Sequence, residues 1–223
     1  MANPVQQDVY PDDPRADVAP YVPSGFRNAL EVGCGRGGFG RTLRAAAPAA
    51  RLVGVEAVPE AAEYTRRAGV FDEVLEGYFP DVLHDRDDER FDLVVYNDVL
   101  EHIVDPWEVL RRTREFIAPG GRVLASIPNV QFLPVVVDLL RARWEYAESG
   151  VLDRTHVRFF TRGSMVDMFE QTGYRVDVCV GNGNFFDLWS KGPAWGRRAL
   201  KRTMGPLIKD MRYVGFIVVA TPV

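Results

Sequence analysis

Three glycines fall within five residues, at Gly33, Gly35 and Gly37, with Gly38 directly after them. They separate a short apolar run, Asn28 to Val32, from a stretch with helical spacing, Gly38 to Ala46. A glycine-dense turn between a strand and a helix lets backbone N–H groups approach a neighbour closely, which side chains would prevent. The alternation then continues with a strand over Arg51 to Glu56, a helix over Pro59 to Ala68, a short strand near Glu73 to Leu75 and a strand over Phe91 to Tyr96. Consecutive Leu93, Val94 and Val95 suit a strand buried on both faces. This order of elements predicts an α/β fold around a parallel sheet.

The next helix has its own delimiters. Asp105 caps it, Pro106 suits its first position, Glu108 completes a D-x-x-E box, and Val109, Leu110, Thr113, Phe116 and Ile117 repeat at helical spacing. Pro119-Gly120-Gly121 turns the chain into a fifth strand, Arg122 to Ile127. A helix from about Thr161 to Thr172, stopped by Gly173, leads into a strand at Tyr174 to Val180, and a last strand follows at Tyr213 to Ala220. The 223 residues suit one domain, with residues 1–25, which hold five prolines, as an arm and residues 26–223 as the domain. Insertions are expected at about 130–160 and 182–212.

Composition narrows the class. A net charge of −4 disfavours a surface built to neutralise nucleic-acid phosphates. Cys34 and Cys179 make no disulfide framework and no CxxC pair, which points to a reducing, cytoplasmic setting. No apolar run approaches the roughly 20 residues of a bilayer span, so a soluble chain without membrane association is expected.

The glycine turn acquires meaning from Glu56 at the end of the next strand. An acid placed there accepts hydrogen bonds from two ribose hydroxyls, so an adenosine-containing cofactor is implied. The loop alone does not separate a nicotinamide dinucleotide from S-adenosylmethionine. Glu31 does bear on the choice, because a carboxylate two residues before the first glycine would repel a pyrophosphate but tolerates a sulfonium cofactor with a free amino group.

Together, Glu31-Val-Gly-Cys-Gly-Arg-Gly37, Glu56 in Val53-Gly-Val-Glu-Ala-Val58, and Phe91-Asp-Leu-Val-Val-Tyr-Asn-Asp-Val-Leu-Glu-His-Ile103 resemble the class I S-adenosylmethionine-dependent methyltransferases over about residues 28–181. Ser126-Ile-Pro-Asn129, Trp144-Glu-Tyr146 and Leu152-Asp-Arg-Thr-His-Val-Arg-Phe-Phe-Thr161 look like a bacterial subgroup that acts on small molecules. The resemblance implies a Rossmann-like seven-stranded sheet with the last strand antiparallel and helices on both faces. It implies S-adenosyl-L-methionine as cofactor, with S-adenosyl-L-homocysteine as product.

Carried over residue by residue, Glu31, Gly33, Gly35 and Gly37 surround the methionine portion and Glu56 binds the ribose. Ala57 and Val58 pack on adenine, Asn97 meets the ammonium with its carbonyl, and Asp98 follows it. Relatives often place an acid after the third strand to meet the adenine amino group; this chain has Gly77 and Tyr78 there, leaving backbone groups for that contact. Tyr10 and Arg15 lie in an arm that folds over the cofactor in relatives, Arg15 as a partner for its carboxylate; the alternative is an arm with surface charges only.

Of the three histidines, His84 reads as part of a charged, solvated loop, while His102, at the entry to a helix, either lines the acceptor pocket or caps and packs locally, with packing the leading reading. His156 follows Asp153 by three residues and precedes Phe159-Phe160, on a loop at the acceptor side; it is the candidate general base, oriented by Asp153, beside a purely structural alternative. No Asn/Asp-Pro-Pro-aromatic motif for flipped bases follows strand four, and Asn97 with Asp98 is not a cluster of metal ligands, so neither nucleic acid nor metal is expected. O-methylation of a small-molecule or glycan-type acceptor is the leading reading, beside N-methylation, an NAD(P)-dependent oxidoreductase and a non-catalytic binding module. Between residues 191 and 212, Lys191, Arg197, Arg198, Lys201, Arg202, Lys209 and Arg212 face Asp210 alone. That segment, with a helix near Ala194 to Met204, is either a solvated face or a cap attracting an acidic or sugar-linked acceptor.

Overall fold

One sheet holds seven strands: β1 (Asn28–Val32), β2 (Arg51–Glu56), β3 (Glu73–Glu76), β4 (Phe91–Asn97), β5 (Ile117–Pro128), β6 (Tyr174–Asn184) and β7 (Tyr213–Pro222). The computed structural model describes residues 12–86, 88–188 and 208–223. Tyr10 and the stretch Ala194 to Met204 lie outside the described residues. The strand order is β3-β2-β1-β4-β5-β7-β6, with β7 antiparallel to both of its neighbours and the other pairings parallel. Among the described residues six α-helices accompany the sheet: α1 (Gly38–Ala46), α2 (Pro59–Ala68), α3 (Pro106–Thr113), α4 (Leu133–Leu140), α5 (Arg162–Gln171) and α6 (Phe185–Leu188).

The central strands are mainly apolar because both faces are covered. Leu30, Val32, Val94, Tyr96, Val123 and Ala125 belong to one buried cluster, with Met165, Met168 and Phe169 of α5. Their sequence neighbours Ala29, Leu93, Val95 and Leu124 belong to the other, with Phe39 and Leu43 of α1. This is the period-two alternation of a strand, here with helices on both sides. At fully buried positions such as Leu30, Val94 and Leu124, each side chain contributes about 1.5–3 kcal/mol.

Several boundaries differ from the sequence expectation. Gly120, at φ 79°, does not separate a turn from a strand; it sits in an irregular stretch of β5, whose pairing with β4 shifts between Phe91 and Leu93. The D-x-x-E box of α3 forms only in its forward half. Asp105 Oδ1 accepts from the Glu108 N–H at 3.0 Å, while Glu108 takes Arg111 at 2.9 Å. In α5 the box is complete, between Thr161 and Ser164. Helix α4 had no sequence counterpart, since its apolar run lacks a polar face, and none of its residues is fully buried.

The strand order reverses between the parallel neighbours β1 and β4, and open α/β sheets bind ligands at such a point, outside the carboxyl ends of the strands. Glu31, Glu56, Asn97 and Ser126 come from four adjacent strand ends at this edge.

Candidate functional site

The loop after β1 depends on its glycines. Gly33, Gly35 and Gly37 all have positive φ, at 70°, 53° and 80°, a region that side chains disfavour. At Gly33 space is lacking too, since a Cβ there would stand 2.7 Å from a Val99 methyl. Glu56 fastens this loop: one carboxylate oxygen accepts the Gly35 N–H at 2.8 Å and the other accepts the Val58 N–H at 2.9 Å. Thr65 donates its hydroxyl to the Gly35 carbonyl at 2.6 Å. Burial raises the Glu56 carboxyl above the usual range, and the backbone N–H groups oppose that rise.

Glu31 and Asn97 are different. Both are beside the loop, yet Glu31 Oε2 and both polar atoms of the Asn97 amide are buried without a hydrogen-bond partner. Burial pushes the Glu31 carboxyl up to about 8; the Asn97 amide and Arg15 pull the other way, while Glu56 adds repulsion. Such groups are costly unless a ligand or water completes them.

Arg15 closes the end of the cleft next to Asp98. It donates to Asp98 at 2.5 Å and to the Ser126 hydroxyl oxygen at 2.9 Å, and forks onto Asp17 at 3.1 and 3.0 Å. Four of its five N–H donors are thus committed to the protein. Asp98, at φ 53°, also accepts from the Ser126 hydroxyl at 2.8 Å and donates its N–H to the Ser126 carbonyl at 3.0 Å. The arm also rests against α1, where Asp12 pairs with Arg41 at 2.7 Å. Ala57, Val58, Gly77 and an exposed Tyr78 line the cleft further along, and Gly77 donates its N–H to the Glu56 carbonyl at 2.9 Å.

The far wall of this cleft, about 1140 Å³ in volume, is the loop that carries His156 together with the turn after β4. The His156 Nδ1 lies 3.0 Å from the Val151 carbonyl oxygen, which can only accept, so Nδ1 carries the proton and Nε2 the lone pair. Asp153 accepts from the Thr155 N–H at 2.8 Å and hydroxyl at 2.6 Å, and its carbonyl takes the His156 N–H at 3.0 Å. Burial works against its charge, but those Thr155 donors and the neighbouring imidazoles hold the Asp153 carboxyl below the usual range. His102 sits 4.8 Å from His156, ring centroid to ring centroid, with its Nδ1 at 3.1 Å from the Thr155 hydroxyl oxygen. It lines the cleft, the position its sequence context allowed beside local packing. His84 is exposed beside Asp85, as expected of a solvated loop.

Glu101 was quoted within a motif but given no role by sequence reasoning. It is 1% exposed, both carboxylate oxygens lack hydrogen-bond partners, and Oε1 lies 3.9 Å from His156 Nε2. Burial, with repulsion from Asp98, raises its carboxyl well above the usual range. Its backbone carbonyl accepts N–H bonds from Val157 and Arg158 at 2.9 and 3.0 Å, which binds the two halves of the wall together. The available signal was the Glu101-His102 pair in the turn after β4; what hid it was the apolar Val99-Leu100 beside it.

A family model described as a methyltransferase domain matches residues 7–178. A ubiquinone biosynthesis O-methyltransferase of Shewanella halifaxensis is 24% identical over 158 residues, covering 70% of this chain and 66% of that protein. The chain spans about one third to two thirds of the length of the first curated relatives it matches. Among solved structures, a SAM-dependent methyltransferase from Archaeoglobus fulgidus superposes with a TM-score of 0.69 at 18% identity, covering 92% of this chain and 91% of that one. The mitomycin 7-O-methyltransferase MmcR gives 0.58 at 19% identity, covering 90% and 50%. Among the described residues no helix is long and apolar enough to cross a membrane.

Proposed function

The chain belongs to the methyltransferase domain family, and from that premise we propose that it methylates a hydroxyl of a small molecule using S-adenosyl-L-methionine. The observation that carries this reading is the pair of buried, unpartnered groups on Glu31 and Asn97, which open on a cleft whose far wall holds the His156 lone pair. Acceptors left unsatisfied at the glycine loop fit a ligand with an ammonium group, and they fit a pyrophosphate badly. When bound, S-adenosyl-L-methionine supplies an electrophilic methyl group, and S-adenosyl-L-homocysteine is what remains.

The chain's own residues have the following parts. Glu31, with the Asn97 carbonyl, receives the ammonium; Gly33, Gly35 and Gly37 admit the methionine portion; Glu56 takes the ribose. Ala57, Val58, Gly77 and Tyr78 form the adenine end. Arg15 and Asp98 hold the arm across the cleft, and Tyr10, outside the described residues, is a candidate cofactor contact from its sequence position alone. On the far wall, Nε2 of His156 is the protein's own proton acceptor for the hydroxyl. Asp153 keeps the loop in register through Thr155 and the His156 backbone. Positioning alone supplies on the order of 7–11 kcal/mol of a bimolecular barrier. The string Leu152 to Thr161 supports the bacterial small-molecule subgroup, and the O-methyltransferases among the relatives support oxygen as the acceptor atom. The basic residues from Lys191 to Arg212 support an acidic or sugar-linked acceptor.

Calorimetry with S-adenosyl-L-homocysteine and with NAD tests the cofactor, and a mass-spectrometric screen of hydroxylated acceptors for a methyl increment tests the reaction. Binding of the former without the latter is expected, as is a product labile only to ether-cleaving conditions. Tight NAD binding with no response to S-adenosyl-L-homocysteine overturns the reading.

A further inference from the structure

The geometry points to a divalent transition-metal site formed by Glu101, His102 and His156 in the far wall of the cleft. One donor atom from each residue lies within 4.8 Å of the others. Two further observations give that proximity weight. First, Nδ1 of each imidazole is anchored on an oxygen, His156 on the Val151 carbonyl at 3.0 Å and His102 on the Thr155 hydroxyl at 3.1 Å. The Thr155 hydroxyl hydrogen is directed to Asp153 at 2.6 Å, so the hydroxyl oxygen receives the His102 proton and Nε2 keeps the lone pair in both rings. Anchoring of the distal nitrogen on a carbonyl or hydroxyl oxygen is the usual support of a metal-ligating histidine.

Second, Glu101 is a buried carboxyl with no hydrogen-bond donor on either oxygen. Asp98, a neighbouring acid, is occupied by Arg15 and Ser126. Two neutral imidazoles offer a carboxylate nothing to offset its desolvation, whereas a dication does. Two nitrogens and one oxygen suit zinc, cobalt or manganese better than magnesium or calcium, which prefer oxygen throughout. Bonds of ~2.1 Å put tetrahedral donors ~3.4 Å apart, so closing the cluster asks for side-chain rotations of about an ångström.

Three protein ligands leave a position open to the cleft. This inference rests on the reading of that wall as the acceptor side, and it changes the part played by His156. With the cation bound, Nε2 is a ligand. A cation held there would supply a Lewis-acid position for the acceptor oxygen and would lower the pKa of its hydroxyl, so that the proton would leave to solvent with the electron pair kept on oxygen. The set was invisible in the sequence because His156 arrives from a loop remote from the Glu101-His102 turn.

Chelator-stripped full-length protein titrated with Co²⁺ tests the site through stoichiometry, calorimetry and the visible absorption of the cobalt ion. One Co²⁺ per chain is expected, displaced by Zn²⁺, with affinity reduced at least tenfold in Glu101→Gln and in His102→Ala. S-Adenosyl-L-homocysteine binding serves as the folding control in both variants and is expected to persist. Substoichiometric cobalt, or affinity unmoved by both substitutions in folded protein, overturns the site. Cobalt binding without any S-adenosyl-L-homocysteine binding in the unsubstituted chain upholds the metal site and overturns the methyltransferase reading.

Discussion

Arg15 donates a hydrogen bond to Asp98 at 2.5 Å across 83 residues of chain, joining the arm to the turn that ends β4. The pair is reinforced on both sides, by Asp17 on the arginine and by Ser126 on the aspartate. Asp98 adopts a positive φ of 53°, a conformation that the surrounding bonds must hold. The arm is thereby a structural part of the cleft, and the cofactor carboxylate is left at most one N–H of Arg15.

Replacing Arg15 by Ala strands Asp17, Asp98 and Ser126 together. Because Asp98 is partly exposed and water can take over, the loss of stability is about 1–3 kcal/mol, well below that of a fully buried pair. Denaturant unfolding is expected to record that loss, and limited proteolysis is expected to cut the arm faster than in the parent. A parent-like cleavage pattern would show that the arm is held by other contacts.

Glu56 secures the loop that it also lends to a ligand. Glu56→Ala leaves the N–H groups of Gly35 and Val58 without acceptors, each costing about 1–3 kcal/mol where buried, and removes the ribose contacts. Glu56→Gln keeps one acceptor oxygen. The expected order of S-adenosyl-L-homocysteine affinity by calorimetry is parent, then Gln, then Ala, with at least a tenfold step to Ala. Equal affinity in all three contradicts the assignment of Glu56 to the cofactor.

How much of this was legible in the sequence follows from distance along the chain. The glycine turn, Glu31 and Glu56 lie within adjacent βα units, where period and turn chemistry are local signals. The His156 loop was legible through its motif, but its geometry was not. Val151 fixes the ring through a backbone carbonyl, which no side-chain pattern encodes. Arg15 with Asp98, and Glu101 with His156, are tertiary meetings that depend on the strand order. The lengths of β6 and α4 escaped for a different reason. The expected strand stops at Val180, before Gly181-Asn-Gly-Asn184, yet β6 pairs with β7 as far as Asn184 opposite Tyr213, so the partner strand overrode local preference.

Gly33 separates two costs of adding a side chain. Alanine at Gly33 meets both a φ of 70° and a Val99 methyl at 2.7 Å, whereas at Gly69 the φ is 66° and nothing lies within 4 Å. The left-handed conformation alone costs about 1–2 kcal/mol. Gly69→Ala is expected to lose that much in denaturant unfolding. Gly33→Ala is expected to lose more and also to weaken S-adenosyl-L-homocysteine binding, since relief requires moving Val99 and with it the loop. Equal losses at the two positions would show that Val99 yields freely.

His156 gives a kinetic prediction that holds with or without a cation. Its ring is either the proton acceptor or a ligand, so His156→Ala is expected to lower kcat by about 10²–10⁴ while leaving S-adenosyl-L-homocysteine affinity near that of the parent. Near-normal turnover would mean that positioning suffices and that the wall is not acceptor chemistry.

Glu31 couples the cleft to pH. Its carboxyl is pushed up to about 8 in the folded protein from an ordinary value near 4.5, by burial first and then by Glu56, with the Asn97 amide and Arg15 opposing. Cys34, packed beside it, is pushed up as well and stays protonated across the window. For an acid raised on folding, the native state binds more protons than the unfolded chain between those two values, so stability falls as pH rises from about 4.5 through about 8. Glu31→Gln keeps the shape and removes the titration. The ligand-free parent is therefore expected to lose melting temperature relative to Glu31→Gln as pH is raised from 5 to 8 (roughly the span between the two values), and a bound ammonium group is expected to restore it. The same comparison reads the site directly. If S-adenosyl-L-homocysteine stabilises the parent more at pH 8 than at pH 5 (values near the two ends of that span), the ligand is meeting an ionised Glu31 that the empty cleft keeps protonated. Parallel melting curves for parent and variant, with and without ligand, would place the carboxyl in ordinary solvent contact and remove Glu31 from the binding site.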